Sequence, residues 1–495
     1  MSKTFYITTA IDYPNGTPHM GHAYEKVVTD AYARWYRFLG YDVHFLTGTD
    51  ENGQKLIESA KNAGMETGPF VDTQVQKFKE LCADLRLSHD DFIRTTEERH
   101  HQVSQSFWKK LEAKGDVYSG KYSGQYCIHC ESFYTELQAP EGLCPDHKTK
   151  LELKEEEGFF FKLSSYQDWI LNTLKGNPNL VTPRSAYNEI LSRLQGESLR
   201  DLAISRPGAG WGVPVPGRED FVMYTWFDAV INYYSALTTE QQKYWPADLH
   251  VIGKDILWFH SVFWPCMLHA LDLPLPKQVY VHGMILAADG RKMSKSLNNG
   301  VDPQEILKKY PLDSFRYYLL KNIPANGDGA FSEQELIDKH NNELGNDFGN
   351  LLMRVIKLAQ KTITGSISAP KATALLNFSE TLTKMQESME KREHNRAMDA
   401  LWEAVNKVNQ FVNDSEPWKH KNDPELFHAV IFQCLYGIHQ VSLLMQAFLP
   451  QTAAISLDYL GQSAQDFSSL VFEDIVYDLK TPEALFPKLE KLATE

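Results

Sequence analysis

Two clusters of polar side chains have the residue types that bind phosphate groups. In the first, His19 and His22 lie three residues apart, directly before a predicted helix, and Gly21 between them would let a ligand approach the backbone. At a helix N-terminus, two imidazoles lie beside free backbone N–H groups and the positive end of the helix dipole. This arrangement is suited to hold a triphosphate and the charge that develops on it during a reaction.

The second cluster is the pentapeptide KMSKS, in the polar segment AADGRKMSKSLNNG after a predicted strand. Lys292 and Lys295 place two ammonium groups on a glycine-flanked loop, which suits a mobile clamp that becomes ordered around phosphates. Taken alone, the histidines could equally be structural, and an isolated lysine–serine pentapeptide is more often a solvated basic loop. The two together, at opposite ends of one predicted α/β domain, favour a nucleotide-binding enzyme.

Three of the six cysteines lie in one stretch that has the spacing of a zinc site. Two residues separate Cys127 from Cys130, two separate Cys144 from His147, and thirteen lie between the pairs. Two close ligand pairs joined by a loop match tetrahedral Zn2+ with three thiolates and one imidazole. Because four protein ligands leave no open position for water, we predict one structural zinc.

The elements around these motifs predict an α/β fold with a parallel sheet. An aromatic and β-branched run at 5–9 predicts a strand, apolar residues at helical spacing follow from 24 to 38, and the strand-like run YDVHFL comes after Gly40. The order strand, helix, strand is typical of parallel sheets. The pattern resumes with the strands LHVIG and QVYVHGMIL, which flank the apolar helix ILWFHSVFWPCML. Asp302, Pro303 and Glu305 then predict a capped helix start.

A region between these two stretches interrupts the α/β pattern with the cysteines, an acidic run and the segment RPGAGWGVPVPG. From 341 onward, strand patterns nearly vanish and amphipathic helical patterns dominate. We therefore predict a Rossmann-like parallel-sheet catalytic domain, split by a zinc-containing insertion and followed by an all-α bundle. The predicted boundaries are 1–115 and 217–280 for the sheet halves, 116–216 for the insertion, 281–340 for a connector with the lysine loop, and 341–495 for the bundle.

Composition limits the classes of protein that the chain can be. Its 495 residues, 43% of them hydrophobic, suffice for two to four domains. The net charge of -14 argues against a protein that coats nucleic acid through overall positive charge. Few cysteines, no signal peptide and no run of about 18 apolar residues predict a cytoplasmic protein without a membrane partner.

HMGH followed by KMSKS resembles the HIGH and KMSKS signatures of class I aminoacyl-tRNA synthetases. Further ordered blocks resemble the methionyl-tRNA synthetase family over essentially the whole chain: ITTAIDYPNGTPHMGH, TGTDENG, YTWFDAVINYYSAL, HVIGKDI, VHGMILAADGRKMSKS and ELGNDFGNLLMR. The resemblance implies that ATP and L-methionine form methionyl adenylate and pyrophosphate. The methionyl group then passes to the 3'-terminal adenosine of tRNA(Met), initiator tRNA included, with release of AMP. Because the nucleophiles are the methionine carboxylate and then a ribose hydroxyl of tRNA, the enzyme needs no nucleophile of its own. Catalysis would rest on positioning and charge stabilisation.

The resemblance also implies which residues bind ATP. His19 and His22 would contact its phosphates and the leaving pyrophosphate, and Lys295, assisted by Lys292, would neutralise the β and γ phosphates. Mg2+ would accompany the nucleotide. The implied ATP-binding set is Gly21, Gly253, Asp255 and Lys295.

For methionine, Asp50 follows a predicted strand end and is suited to pair with the substrate ammonium group, with an ordinary turn aspartate as the alternative. The family's thioether pocket corresponds to Ile11, Tyr13, Trp226, Ala229, Tyr233 and His282. Trp226 and Tyr233, seven residues apart, would share one helical face, where plain core packing is the alternative. A hydrogen bond from Tyr233 or His282 to sulfur would help to select methionine, because pocket shape gives only ~1–3 kcal/mol per methylene.

For tRNA, the resemblance implies that the insertion is a connective-peptide domain that orients the acceptor end. Asn350 and Arg354, four residues apart, would read the CAU anticodon, with Asn346 one turn earlier and Trp418 stacking on an unpaired base. The chain ends at KLEKLATE without the appended domain that dimerises some relatives, so we expect a monomer.

Three other functions fit parts of the sequence. A leucine, isoleucine or valine enzyme would usually carry a larger editing insertion, and a cysteine enzyme would use zinc in its amino-acid pocket. A small-molecule nucleotidyltransferase would not need the helical bundle. A non-catalytic RNA-binding protein would not need intact HMGH and KMSKS motifs. Amino-acid-dependent ATP–pyrophosphate exchange distinguishes these alternatives.

Overall fold

The computed structural model describes residues 3–127, 132–134, 139, 141–145, 148–208, 210–293, 299–371, 374–464, 467 and 470–492. The chain divides into two compact units. We call Thr4–Pro18 with Val43–His282 the sheet unit, and Met1–Lys3 with His19–Asp42 and Gly283–Glu495 the helical unit.

Among the described residues, the strands in chain order are β1 Thr4–Thr9, β2 Asp42–Thr49, β3 Asp91–Arg94, β4 Val117–Cys127, β5 Ser132–Tyr134, β6 Glu152–Phe161, β7 Val181–Thr182, β8 Leu202–Ala203, β9 Ser205–Pro207, β10 Pro214–Val215, β11 Arg218–Met223, β12 Leu249–Gly253, β13 Val279–His282, β14 Ile285–Leu286, β15 Gly329–Ala330, β16 Ile367–Ser368 and β17 Val476–Tyr477. The α-helices are α1 Met20–Phe38, α2 Gln54–Asn62, α3 Thr67–Asp84, α4 Glu98–Lys114, α5 Gln167–Gly176, α6 Arg184–Gly196, α7 Thr225–Ala229, α8 Asn232–Ser235, α9 Trp264–Ala270, α10 Pro303–Lys309, α11 Leu312–Asn322, α12 Glu333–Lys339, α13 Asn350–Thr362, α14 Ser379–Glu390, α15 His394–Ser415, α16 Pro424–Met445 and α17 Pro450–Tyr459.

The sheet unit is built on a six-stranded sheet in the order β3-β2-β1-β12-β13-β7. Parallel pairings join β2 to β3, β1 to β12, β12 to β13 and β13 to β7. This confirms the predicted parallel sheet assembled from separated stretches of chain. From β1 the chain proceeds outward to β2 on one side, and from β12 it proceeds outward to β13 on the other. Such a switch point opens a crevice at the carboxyl ends of the strands, where α/β proteins bind ligands.

The edge strand of this sheet comes from the range that we predicted as the insertion. Val181 and Thr182 of β7 pair with Val279 and Tyr280 of β13. Earlier in the same range, β4, β5, β6 and β8 form a separate antiparallel sheet in the order β5-β4-β6-β8. A two-residue strand is too short to show a period of two, so the sequence pattern could not reveal it.

One large apolar core holds the sheet unit together. Trp108 of α4 and Trp264 of α9 are buried in it, together with Phe161 of β6 and Leu46 of β2. The predicted apolar helix around Trp264 begins with a π-helical segment, Phe259–Phe263, before α9. Its aromatic side chains pack against the core, which explains why the sequence is apolar on nearly every side.

The helical unit packs α1 against α11 and against β14. Asp30 and Arg316 form a fully buried ion pair at 2.7 Å, and Arg316 Nε also donates to the carbonyl oxygen of Phe448 at 2.9 Å. The bundle from α13 to α17 confirms the predicted helical domain. A two-residue antiparallel pair, β16 with β17, is the described departure from an all-α structure.

The start of α10 follows the predicted capping pattern. Asp302 is the N-cap of α10 and accepts from the Gln304 N–H at 2.8 Å, with Pro303 as the first helical residue, as predicted. One described helix, α16, is long and apolar enough to cross a membrane, but 78% of its most apolar window is buried inside the fold. That burial is typical of a core helix.

Candidate active site

The carboxyl ends of β1 and β2 bring predicted methionine-binding residues together. Asp12 forms a parallel bridge with Thr49, and the Asp50 N–H donates to the Asp12 carbonyl at 2.8 Å. Ile11 and Tyr13, the sequence neighbours of Asp12, are therefore brought close to Asp50. Asp50 is only 6% exposed, so its carboxylate is largely removed from bulk water. A cation that paired with it here would be attracted more strongly than at an exposed site.

Acidic Glu51, which follows Asp50, is fixed by several hydrogen bonds. Its carboxylate accepts from Arg94 Nε at 2.8 Å and from the Thr96 hydroxyl at 2.6 Å. Burial lowers the pKa of Arg94, but its hydrogen bonds to Glu51 and Asp72 and their negative charges outweigh that effect and raise it. The loop after β2 is therefore held rigidly to the end of β3.

The carboxyl ends of β12 and β13 bring three further predicted residues together. Gly253 is the register partner of His282, and Asp255 follows two residues later on an exposed turn. A Cβ at position 253 would lie 2.8 Å from Asp255 Oδ1 and 3.9 Å from His282 Cε1. Glycine thus leaves room beside an exposed carboxylate and a buried imidazole, next to the switch point of the sheet.

The predicted thioether-binding side chains of α7, Trp226 and Ala229, lie in the same unit, and we call them the thioether wall. The ring of Trp226 stacks on Phe259 with centroids 4.0 Å apart and planes 7° apart. Ala229 and Tyr233 are buried. Trp226 and Tyr233, predicted to share one helical face, lie in two consecutive short helices, because α7 ends at Ala229 and α8 begins at Asn232. The linking residues have ψ near -17°, a tighter turn than a regular α-helix.

The hydroxyl of Tyr233 is already engaged. It lies 2.7 Å from His260 Nε2, while His260 Nδ1 lies 3.0 Å from the Ile256 carbonyl oxygen. A carbonyl oxygen only accepts, so Nδ1 carries the proton, and burial lowers the pKa of His260 to about 4. Tyr233 therefore donates to Nε2, and this proton is not available for a thioether sulfur. The hypothesis of a hydrogen bond to sulfur therefore rests on His282.

In the helical unit, His19 and His22 form a reciprocal cap at the start of α1. His19 Nδ1 accepts from the Gly21 N–H at 3.1 Å, and His22 Nδ1 accepts from the His19 N–H at 3.1 Å. The rings stack with centroids 3.7 Å apart. A Cβ on Gly21 would lie 3.0 Å from His19 Cε1, so glycine allows the imidazole to fold over the helix end.

This cap determines the chemistry of both imidazoles. Since each Nδ1 accepts a hydrogen bond, each Nε2 carries the proton and can donate it to an anion. Burial, with the charge of Lys26, lowers the pKa of His22 to about 3. His22 is therefore a neutral donor at physiological pH.

The loop with the predicted lysines follows β14. A tight turn closes between Ala287 and Arg291, and Lys292 bridges to Leu286 with its side chain exposed. The Asn299 side chain donates to the Lys292 carbonyl at 3.1 Å. Lys295 lies outside the described residues. Because α1 packs against β14, the helical unit brings the histidine-bearing helix and the strand that leads into this loop together.

Half of the predicted zinc ligands are described. Cys127 and Cys144 are buried in one small cluster with Ala139 and Leu151. The Cys144 N–H donates to the Thr149 carbonyl oxygen at 2.8 Å. Cys130 and His147 lie outside the described residues. Two buried thiols in one compact cluster fit the thiolate ligands of the predicted zinc knuckle.

The predicted anticodon residues lie on exposed surfaces of the helical bundle. Asn350 donates to Asn346 Oδ1 at 3.3 Å, and Arg354 Nη1 donates to Asn413 Oδ1 at 3.2 Å. Trp418, on a short 3-10 turn after α15, is 39% exposed, which is unusual for so large an apolar ring. Asn413 was not predicted, since nothing in the sequence places it beside Arg354.

Sequence reasoning also missed Phe259 and His260, the partners of Trp226 and Tyr233. Both are in the apolar run ILWFHSVFWPCML, where a histidine directly after an aromatic pair is the visible irregularity. Their contacts span more than 25 residues, so only the fold reveals them.

Comparisons with known proteins agree with this architecture. The family described as "tRNA synthetases class I (M)" matches residues 5–152 and 146–356, and the "Anticodon binding domain of methionyl tRNA ligase" matches residues 363–493. The chain is 40% identical to Methionine--tRNA ligase of Brucella suis, with 98% of both chains covered. It is 40% identical to the protein of that name from Bacillus subtilis, with 99% of this chain and 78% of the relative covered.

A solved structure, Mycobacterium tuberculosis methionyl-tRNA synthetase in complex with methionyl-adenylate, superimposes with a TM-score of 0.92. It is 35% identical, and 98% of this chain and 100% of that chain are covered. The class I fold with a parallel sheet and a helical anticodon domain is thereby confirmed. The chain therefore belongs to the methionyl (M) family of class I tRNA synthetases.

Proposed function

We propose that this chain is a methionine–tRNA ligase. It activates L-methionine with ATP to methionyl adenylate and transfers the methionyl group to the 3'-terminal adenosine of tRNA(Met), releasing AMP and pyrophosphate. The observation that carries the proposal is the convergence of Asp50, Gly253 and His282 on the carboxyl edge of the sheet, on both sides of its switch point. The 40% identity to a protein of this name, over 98% of both chains, supports it.

In the proposed activation step, the Asp50 carboxylate pairs with the substrate ammonium group and leaves the substrate carboxylate free to attack the α-phosphorus of ATP. Ile11, Tyr13, Trp226, Ala229 and Tyr233 enclose the thioether. Aromatic rings suit a polarizable sulfur through dispersion and sulfur contacts. The His282 imidazole is the proposed hydrogen-bond donor to that sulfur.

The two histidines and the lysine loop bind the phosphates of ATP in this proposal. His19 and His22 each offer a neutral Nε2–H donor, and the start of α1 adds Gly21 and the helix dipole. Lys295, assisted by Lys292, neutralises the β and γ phosphates as pyrophosphate leaves. Gly253 and Asp255 bind the adenosine, and Mg2+ accompanies the nucleotide.

For tRNA recognition, Asn346, Asn350 and Arg354 offer hydrogen bonds to bases of the CAU anticodon, and the exposed ring of Trp418 offers a stacking surface. The same surface would serve initiator tRNA. Because phosphate contacts dominate such complexes, binding should weaken as salt rises.

The insertion would hold one Zn2+ through Cys127, Cys130, Cys144 and His147. Bound there, the metal would stabilise the fold of the knuckle and take no part in the reaction. Metal content of the purified protein and of a Cys144→Ser variant tests this assignment. We further propose a cytoplasmic monomer.

The test is ATP–pyrophosphate exchange with each of the twenty amino acids, followed by charging of tRNA(Met). Exchange with methionine alone, and transfer to tRNA(Met), are expected. Exchange with a different amino acid would overturn the specificity. Exchange with a substrate that is not an amino acid would indicate a nucleotidyltransferase, and no exchange at all would indicate a non-catalytic RNA-binding protein.

A further inference from the structure

A buried hydrogen bond links two parts of the sheet unit that carry different groups of the proposed methionine site. Asn52 Nδ2 donates to Asp228 Oδ2 at 2.5 Å across 176 residues of sequence. Asn52 comes two residues after Asp50, and Asp228 stands between Trp226 and Ala229. Both linked side chains are almost fully buried, at 1% and 0% exposure. The bond therefore ties the proposed ammonium-binding loop to the proposed thioether wall.

On the loop side, the position of Asn52 is determined by further contacts. Its side chain also lies 3.3 Å from the Thr95 carbonyl oxygen, and its own carbonyl accepts from Arg206 Nη2 at 3.2 Å. The N–H of Glu51 donates to the Thr95 hydroxyl at 2.8 Å. The loop therefore has little freedom to move without breaking several buried hydrogen bonds at once.

On the helix side, burial of the Asp228 carboxylate costs free energy of folding. Its Oδ1 atom is buried and has no hydrogen-bond partner within the part of the chain that the structure describes. His100 Nε2 lies 3.7 Å from Oδ2, and His100 Nδ1 is 2.8 Å from the Ser235 hydroxyl of α8. A buried, incompletely paired carboxylate is weak evidence for a stabilising role, because desolvation offsets much of its attraction. A geometric role explains its presence better.

We infer that Asn52 and Asp228 are positioning residues that fix the distance between the Asp50 carboxylate and the wall formed by Trp226 and Ala229. This inference rests on the proposed function. A methionine molecule held at both its ammonium group and its thioether requires that spacing to be constant, and small misplacements of binding groups weaken binding strongly. The pair should therefore set the affinity for methionine and leave the affinity for ATP unchanged.

The experiment measures the KM values for methionine and for ATP in pyrophosphate exchange, with a melting curve for each variant. Asn52→Ala removes the donor and should raise the KM for methionine about tenfold, the effect of losing one charge-assisted hydrogen bond, with the KM for ATP within about twofold of wild type. Asp228→Asn keeps an oxygen that accepts from Asn52, so its KM for methionine should rise less. If Asn52→Ala does not fold, the KM for methionine of this conservative variant still tests the inference.

The double variant Asn52→Asp with Asp228→Asn exchanges donor and acceptor. It should bring the KM for methionine below that of Asn52→Asp alone, in which two carboxylates face each other. The matched control is Tyr187→Phe, which removes a buried hydrogen bond of 3.2 Å to the Leu174 carbonyl in the same unit. It should lower the melting temperature without changing the KM for methionine.

An unchanged KM for methionine in folded Asn52→Ala, an equal rise in both KM values, or no recovery in the double variant would each overturn the inference. These failures are distinct from failure of the proposed function, in which the wild-type protein itself shows no methionine-dependent exchange.

Discussion

Single residues in this protein show how local geometry selects a protonation state. His19 and His22 each accept a hydrogen bond from a backbone N–H group at Nδ1, so each carries its proton at Nε2. Burial lowers the pKa of His22 and keeps it neutral. His260 has the opposite tautomer because a carbonyl oxygen faces Nδ1. The HMGH motif was visible in the sequence, but these proton positions depend on contacts at the scale of 3 Å.

The role of the Tyr233 hydroxyl can be tested at this scale. Since it donates to His260, Tyr233→Phe should leave discrimination between methionine and norleucine close to wild type, but lower the free energy of unfolding by about 1 kcal/mol. His282→Ala should reduce that discrimination. The ratio of kcat/KM values for the two amino acids, with a denaturant titration, provides the measurement. A large loss of discrimination in Tyr233→Phe would contradict the hydrogen-bond assignment.

Gly253 gives a second residue-level prediction. Gly253→Ala places a Cβ 2.8 Å from Asp255 Oδ1, and the exposed carboxylate must move away. We expect the KM for ATP to rise several-fold, while the KM for methionine and the melting temperature change little. Gly176→Ala is the control, because a Cβ there meets nothing within 4 Å. If both variants have a wild-type KM for ATP, Asp255 does not bind the nucleotide.

At the scale of elements, β-branched and aromatic runs predicted β1, β2, β12 and β13, because buried parallel strands are continuously apolar. The two-residue β7 has no detectable pattern. The break between α7 and α8 was also invisible, since their residues keep helical spacing. The Asn52–Asp228 and Asp30–Arg316 pairs join residues that are 176 and 286 positions apart, and no local rule relates them.

The buried pair of Asp30 and Arg316 is expected to anchor α1 within the helical unit. Asp30→Ala leaves the guanidinium of Arg316 in the interior without its carboxylate and should destabilise the protein by about 3–5 kcal/mol. Asp220→Ala breaks the exposed pair with Arg218, which solvent screens, and should change stability far less. Equal effects of the two substitutions in denaturant unfolding would show that the buried pair does not anchor the helix.

The helical bundle carries a separate prediction. Trp418→Ala should raise the KM for tRNA(Met) in charging by about 5- to 150-fold, as expected for loss of a stacked base worth ~1–3 kcal/mol. ATP–pyrophosphate exchange without tRNA should be unchanged. Trp402, a buried tryptophan of α15, is the contrasting site: Trp402→Ala should lower stability. Equal damage to exchange and charging in Trp418→Ala would identify its ring as a structural residue.

For the molecule as a whole, buried neutral histidines link stability to pH. Burial lowers the pKa of His22 to about 3 and the pKa values of His260 and His439 to about 4. In the unfolded chain these groups titrate near 6.5, so between the two values the unfolded state binds more protons. Each histidine therefore removes up to about 1.4 kcal/mol of stability per pH unit as pH falls below 6.5. Asp313, whose pKa burial raises, acts in the opposite direction.

We therefore expect the melting temperature to fall steadily from pH 7 to pH 5. His439→Gln keeps a polar side chain that does not titrate and should make that fall shallower. A melting temperature that is constant over this range in the wild-type protein would contradict the assignment of neutral buried imidazoles.

The path of the chain between the two units affects how the protein can be dissected. It passes from one unit to the other after Lys3, after Pro18, after Asp42 and after His282. A fragment that stops at residue 282 would keep every strand of the six-stranded sheet, yet would strip α11 and Phe448 from the buried Trp35 face of α1. Exposure of these aromatic side chains to solvent should make such a fragment prone to aggregation. A single truncation of the chain therefore cannot isolate either unit.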